Sequence, residues 1–435
     1  MTRPAQRNTS AAAVVAVFAL GAVLQVFLWV RASDAFPQIP QLRTGLAADQ
    51  VGLLNMGWEL ANTRRCRPTA KTMSGGGSIP GCFLQLLVGG PLILWHDGRA
   101  PSLVVEAAHF AAGLLLAGTL AKAMGAQFTA IYLLIFWLSP QRLFHSGFIW
   151  DPALMVFPAA VHLWSCWKSR DQAGPAASFA LGMLLLLAPQ THASFMVLWV
   201  LTAILVLRRL IKIDWRGLFG GGIIGFVTLI PTVEGYLDGS AASSLPRDGL
   251  IGRGLILIFP LARGFLNWFR MGSLDFGRMG RKDSVFCLST SLSDSPGSQV
   301  MCGLVHVCSA LSVLSVVVAV AASWWYFRSG SDDSNRAQPD SAWLRRYVLS
   351  CFFAVCICAA LSPVTIQTWH VLVALPVACI PVAAWIDNLW PPSKAWLRWV
   401  VIVFVLLRIP DILLLAYGHP LYRALPADIV DVVRE

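Results

Sequence analysis

The chain has 435 residues, of which 57% are hydrophobic and 13% are charged, and its formal net charge is +11. This composition, with a mean hydropathy of +0.66, lies outside the range of soluble globular domains. The basic residues stand in short blocks between apolar runs, which is typical of cytoplasmic loops and not of a nucleic-acid-binding surface. The sequence therefore indicates a multi-pass membrane protein that contacts membrane lipids and has no nucleic-acid partner.

The first apolar run extends from Ser10 to Val30, enough helix to cross a hydrocarbon core of roughly 30 Å. We interpret it as a retained helix because the apolar core of a cleaved signal is shorter. The predicted fold class is all-α integral membrane, with about 11 transmembrane helices in total. The further segments lie near 101–121, 127–144, 148–167, 176–189, 192–211, 217–237, 303–327, 346–361, 370–386 and 397–416.

The basic loops predict the orientation of the chain. When the segments alternate from a cytoplasmic N-terminus, the loops rich in Lys and Arg all fall on the cytoplasmic side, as the positive-inside rule expects. The opposite short turns, "PQTHA" and "SPVTIQTW", contain neither residue. The C-terminus is then predicted to be external.

Two long loops are predicted to be external, and they divide the chain into a module at 1–237, a loop at 238–302 and C-terminal helices at 303–435. Within the first module, the loop at 31–100 contains the amphipathic "LAADQVGLLNMGWELA" and the apolar "CFLQLLVGGPLILW". The Gly-Gly-Pro in the second stretch favours a re-entrant or interfacial segment. The second loop contains "LIGRGLILIFPLARGFLNWF", which suits a membrane surface. Two cysteine pairs in or beside these loops, Cys66 with Cys82 and Cys287 with Cys302, are candidate disulfides.

Ionisable residues in and beside the predicted spans gather towards the outer ends of the helices. A charge near a helix centre costs about 2.5 to 3.5 kcal/mol, and a charge near the interface costs less. This pattern predicts an outward-facing polar cavity. A lone histidine at a helix end is more often structural than functional, so the prediction depends on convergence from several helices. The residues concerned are Glu106, His109, Arg142, His145, Asp151, His192, His306 and His370.

Asp49 lies in the first external loop, on the amphipathic stretch. A carboxylate held at the membrane surface is suited to act as a general base on an acceptor hydroxyl. The alternative is that Asp49 caps the helix that starts "DQVG", which is a common role for Asp. Local sequence leaves both readings open.

The order of these features resembles the GT-C glycosyltransferases, in particular the bacterial protein O-mannosyltransferase and aminoarabinose transferase group. The resemblance covers Asp49-Gln50, "GGGSIPGCFLQLL" and "LSPQRLFHSGFIWDP", in which Trp150-Asp151-Pro152 closes a helical hairpin. Further on, Gln190, His192 and Ser194 match an external turn, and Trp369-His370 precedes "LPVACIPVAA" in a late helix.

The resemblance implies an inverting glycosyltransferase in a bacterial inner membrane, with a polyprenyl-phosphate-linked sugar as donor and a glycan, lipid or protein as external acceptor. It implies Asp49 as the catalytic base, with Asp34, just outside the first helix, as second choice. The implied donor-binding residues are Arg142, His145, Asp151, His192 and His370.

The sequence departs from the family pattern at Gln50, Glu106 and Gly147, which stand where the family has a Glu and two Args. A phosphate leaving group must be neutralised by Arg, Lys, His or a metal, so Arg142 or the Arg residues of the second long loop are expected to supply the missing cation. A divalent cation is the alternative. The sequence identifies no cofactor. A transporter or flippase, and an inactive member of the family, are the alternative functions.

Overall fold

The computed structural model describes most of the chain and forms it almost entirely from helices. The described residues are 3–41, 45–72, 78–239, 258–273, 275, 284–287, 296–329, 339–362, 366–389, 399 and 408–423.

Sixteen α-helices are described here. They are α1 (Arg3–Ala35), α2 (Gly45–Thr63), α3 (Phe83–Leu94), α4 (Ala100–Met124), α5 (Ala126–Phe136), α6 (Pro140–Ser146), α7 (Val156–Lys168), α8 (Pro175–Leu187), α9 (Phe195–Leu207), α10 (Trp215–Val227), α11 (Ile230–Leu237), α12 (Ile258–Gly272), α13 (Pro296–Arg328), α14 (Pro339–Leu361), α15 (Leu375–Asn388) and α16 (Arg408–Gly418). Short 3₁₀ turns lie at Phe36–Gln41, Asp151–Met155, Ala188–Gln190, Val285–Cys287 and Thr368–Ala374. Strands β1 (Thr69–Thr72) and β2 (Ser78–Pro80) form an antiparallel hairpin.

Several of these helices are long and apolar enough to cross a membrane, which agrees with the predicted multi-pass protein. In the described part of the chain they are Ala11–Pro40, Ala100–Met124, Pro296–Arg328, Asp340–Leu361 and Thr368–Asn388, with a sixth if the bent pair α10–α11 is one span. The predicted count of about 11 is not confirmed in the described residues, where the predicted segments 127–144, 148–167, 176–189 and 192–211 contain α-helices of only 11–13 residues. The predicted segment at 397–416 lies largely outside the described residues.

The segment that the sequence assigned to spans 127–144 and 148–167 is broken and lies at the centre of the fold. Here α5, α6, a 3₁₀ turn and α7 follow one another, and Pro140 and Pro152 stand at the starts of α6 and the turn. Proline cannot continue a helical hydrogen-bond ladder, which explains why neither predicted span is continuous. Every residue from 135 to 156 is buried.

The bent pair α10–α11 turns by 60° and packs against α8. Glycines allow this close approach, since a Cβ on Gly221 would lie 1.9 Å from the Phe179 carbonyl oxygen and one on Gly182 would lie 2.0 Å from that of Leu218. This backbone-to-backbone contact is the small-residue packing that membrane helices use.

The segments predicted to be external pack against neighbouring helices. Helix α2 packs on α3, and α12 of the second loop packs on α14, α15 and the 3₁₀ turn at Thr368–Ala374. Both candidate disulfides are present, joining Cys66 to Cys82 and Cys287 to Cys302.

Candidate functional site

Helix α2 presents Asp49 at the surface of the fold. The helix buries Leu53 and Met56 and leaves 39% of the Asp49 side chain exposed. Because α2 begins at Gly45, Asp49 lies in its second turn and cannot cap it. The capping alternative is therefore wrong, and the carboxylate is left for other contacts.

The β-hairpin places Lys71 between two carboxylates. The Lys71 Nζ lies 2.9 Å from Asp49 Oδ1 and 3.1 Å from Asp151 Oδ1. Asp151 begins a 3₁₀ turn in the buried central segment, and only 5% of its side chain is exposed. One ammonium therefore joins an accessible carboxylate to a buried one.

The charge of Lys71 is stabilised by this arrangement. Burial favours the neutral amine, but attraction to Asp151, with the charge and hydrogen bond of Asp49, outweighs it and raises the pKa of Lys71. The side chain is therefore a permanent cation at physiological pH. Sequence reasoning missed Lys71, although it is the one lysine before Lys122 and the one lysine in the loop at 31–100.

Trp150 connects the base candidate to the interior. Its Nε1–H donates a hydrogen bond of 3.1 Å to Asp49 Oδ2. Its ring lies 4.9 Å from the His145 ring and 5.6 Å from the Trp369 ring, measured between centroids. Lys71 and Trp150 thus contact different oxygens of the same carboxylate and fix its orientation.

His192 and His370 form a stacked pair beside these charges, with ring centroids 5.8 Å apart and planes inclined by 18°. The Nδ1 of His192 accepts the Ser194 backbone N–H at 3.1 Å, and the Nδ1 of His370 accepts that of Gln367 at 2.9 Å. In the neutral rings the proton is then on Nε2, which remains able to donate to a ligand. His192 is within electrostatic range of Lys71 and Asp49.

Arg142 lies apart from this cluster, in the buried interior. Its Nη1 donates to Gln25 Oε1 at 2.6 Å, while Nε and Nη2 donate to the Trp137 carbonyl oxygen at 3.1 and 2.8 Å. The guanidinium also lies 4.0 Å from the centre of the Trp137 ring. These contacts join α6 to α1. They do not support the predicted role of Arg142 at the donor phosphate, which stays a prediction.

His145 and Asp34 also lie outside the cluster around Lys71. His145 is fully buried, and neither ring nitrogen has a hydrogen-bond partner among the described residues. It reaches the site only through its ring contact with Trp150. Asp34, the second candidate base, is 60% exposed on α1 and forms a 3.8 Å ion pair with Arg31.

One of the three departures from the family pattern has a local explanation. A Cβ on Gly147 would lie 2.7 Å from the Tyr422 ring, so this packing leaves no room for the family's arginine. Glu106 lies within electrostatic range of Arg142, and nothing in the structure explains why it stands where the family has an Arg. Gln50, the residue after Asp49, is buried, and nothing in the structure explains why it stands where the family has a Glu.

A divalent cation, which the sequence allowed, has no evident set of ligands in the described residues. The position between Asp49 and Asp151 is filled by the Lys71 ammonium. Elsewhere, Cys287, Cys302 and His306 lie close enough to share an ion, but the two sulfurs are joined in a disulfide.

The fold and the site together define a multi-pass helical membrane protein with a lysine–dicarboxylate centre where helix α2 and the β-hairpin meet the central segment. No family model matches this chain, and no curated protein matches it. Among solved structures, it is similar to the crystal structure of ArnT from Cupriavidus metallidurans in the apo state. The two chains are 14% identical, the TM-score is 0.36, and the match covers 84% of this chain and 72% of that one. A likeness this distant establishes no common activity.

Proposed function

We propose that this protein is a membrane glycosyltransferase that moves a sugar from a polyprenyl-phosphate donor to an acceptor on the external side. The contact of Lys71 with both Asp49 and Asp151 carries the proposal. A cation beside an accessible carboxylate supplies the two groups that the reaction needs, namely a base for the acceptor and a positive charge for the leaving phosphate.

In the proposed reaction the acceptor hydroxyl oxygen attacks the anomeric carbon and inverts its configuration. Asp49 takes the hydroxyl proton, and the bond between the anomeric carbon and the phosphate oxygen breaks with its electrons on the phosphate. Lys71 neutralises the released polyprenyl phosphate, while the Nε2–H groups of His192 and His370 donate to donor oxygens. Asp151 keeps Lys71 in place from the buried side.

The transporter alternative has one observation in its favour, because broken helices such as α10–α11 line many transport sites. Here, however, the carbonyl oxygen of Thr228, freed at the break, accepts the Cys82 backbone N–H at 2.7 Å. The break therefore holds the hairpin segment that contains Lys71, which favours the enzyme.

The test is transfer of radiolabelled sugar from polyprenyl phosphate in membrane fractions or proteoliposomes, with the wild-type chain compared to Asp49→Asn at matched expression. The enzyme proposal expects label covalently joined to an acceptor, released polyprenyl phosphate, and loss of both in the variant. Movement of intact donor across the bilayer without a new glycosidic bond would establish the transporter instead. Wild-type protein that neither transfers nor moves any donor would support the inactive-member alternative.

A further inference from the structure

The segment that contains Lys71 is closed at its base by covalent and polar links. The Cys66–Cys82 disulfide joins the two sides just outside the strands. The Gln85 side chain accepts the Arg67 backbone N–H at 2.9 Å and donates to the carbonyl oxygens of Arg67, at 2.9 Å, and Gly81, at 3.1 Å. The hairpin can therefore move as a unit, and its position depends on what holds this base.

Helix α11 holds the base through one side chain. The Thr232 Oγ1 accepts the Gly81 backbone N–H at 2.6 Å and donates to the carbonyl oxygen of Pro68. Pro68 immediately precedes β1, and Gly81 immediately follows β2. Thr232 is only 4% exposed, so a single buried hydroxyl contacts both sides of the hairpin.

The backbone at Gly81 is pressed against a second residue of the helical core. Gly81 has φ of +83°, and a Cβ there would lie 2.1 Å from Gln190 Oε1. The Gln190 amide donates in turn to the carbonyl oxygens of Leu186 and Gly225, both at 3.0 Å. Gly81 therefore has little room to shift while Thr232 holds its N–H.

We propose that Thr232 is a positioning residue that holds the Lys71 ammonium between Asp49 and Asp151. This inference rests on the proposed function. Lys71 is three residues from Pro68, and Thr69 pairs with Pro80 across the hairpin. A shift of the base therefore moves Nζ away from two contacts of about 3 Å, which weaken steeply with distance. The bent helix pair thereby acts on the phosphate-binding cation without touching substrate.

The variants are chosen to separate positioning from general damage. Thr232→Val keeps the shape of the side chain and removes both hydrogen bonds, whereas Thr232→Ser keeps the hydroxyl. Thr228→Val is the matched control, because its hydroxyl bonds only the Gly225 carbonyl oxygen within the same helix. Its backbone contact with Cys82 is retained.

The measurement is a double-mutant cycle with Lys71→Met. We expect Thr232→Val to lower kcat/KM for the donor at least roughly tenfold, because the Gly81 N–H and the Pro68 carbonyl oxygen both lose their hydrogen-bond partner. Thr232→Ser should restore activity, and Thr228→Val should leave it within about twofold. In the Lys71→Met background, Thr232→Val should change kcat/KM by less than about twofold. Fully additive losses, or no loss in Thr232→Val alone, would overturn the positioning role.

The same double-mutant cycle can be measured by the Tm of each variant, which does not require sugar transfer. If Thr232 acts through the lysine contacts, the fall in Tm caused by Thr232→Val should be smaller in Lys71→Met than in the wild-type background. Hydrogen exchange at the Gly81 amide should also accelerate in Thr232→Val and remain slow in Thr228→Val. If wild type transfers no sugar, the proposed function fails, and the Tm cycle alone decides between coupling and independence.

Discussion

Lys71→Met gives the sharpest test of the lysine–dicarboxylate centre. At separations near 3 Å and an effective dielectric constant of about 20, each of the two ion pairs amounts to roughly 5 kcal/mol before desolvation. Breaking a fully buried pair costs about 3–5 kcal/mol. Because Lys71 keeps 25% exposure and Asp49 keeps 39%, we expect a loss of about 2–3 kcal/mol in the free energy of unfolding.

The catalytic effect should be larger than the stability effect. Removing a positioned group that stabilises developing charge costs about 100- to 1,000-fold in kcat, and Lys71 is placed to meet the charge that develops on the leaving phosphate. The assay is single-turnover sugar transfer in proteoliposomes at saturating donor, with thermal unfolding measured on the same preparations. Lys122→Met is the matched control, because that lysine is exposed in the last turn of α4.

Folded Lys71→Met protein that transfers sugar within about threefold of the wild-type rate would refute the assignment of the phosphate charge to Lys71. A loss shared equally by Lys122→Met would show that the effect is not local. Activity that Lys71→Arg retains and Lys71→Met lacks would support a requirement for charge at this position.

Three further predictions address the site and its surroundings. Asp49→Asn should reduce transfer by at least about 100-fold, whereas Asp34→Asn should leave it unchanged, and the opposite result in the transfer assay would make Asp34 the base. The raised pKa of Lys71 means that its stabilising contribution is complete below the ordinary lysine value of 10.5 and is lost as pH rises through the higher folded value. The Tm difference between wild type and Lys71→Met should therefore be constant from about pH 6 to 9, and a difference that disappears within that range would contradict the ion pairs. Gly147→Ala should lower stability by about 1–3 kcal/mol because its Cβ meets the Tyr422 ring, and an unchanged denaturation midpoint would show that the ring gives way.

The structure explains why charged residues lie in the apolar stretch from Leu138 to Phe157. Arg142 is used inside the fold, where its guanidinium satisfies the Trp137 carbonyl oxygen and the Gln25 side chain. Asp151 instead contacts the β-hairpin and holds Lys71. Residues of one motif thus divide between packing and chemistry, and sequence spacing does not distinguish them because both kinds are buried.

Missing Lys71 has a physical cause. In the sequence it stands in a short polar stretch 22 residues after Asp49 and 80 before Asp151, with no periodicity to relate the three. Their meeting depends on the hairpin, on the Cys66–Cys82 disulfide and on the contacts with Thr232. Such long-range placement is a property of tertiary packing rather than of local propensity.

Apolar runs and basic loops were readable from the sequence alone, because transfer of each side chain from water to lipid is a local property. They predicted a helical membrane protein and a helix with Asp49 on it, and the cysteine positions offered both disulfide pairs as candidates. Only the tertiary structure decided how many segments are long enough to span and which polar groups meet. Those outcomes depend on helix breaks at prolines and on close packing at glycines such as Gly81. The packing energy at such a glycine comes from contacts between elements that are distant in sequence.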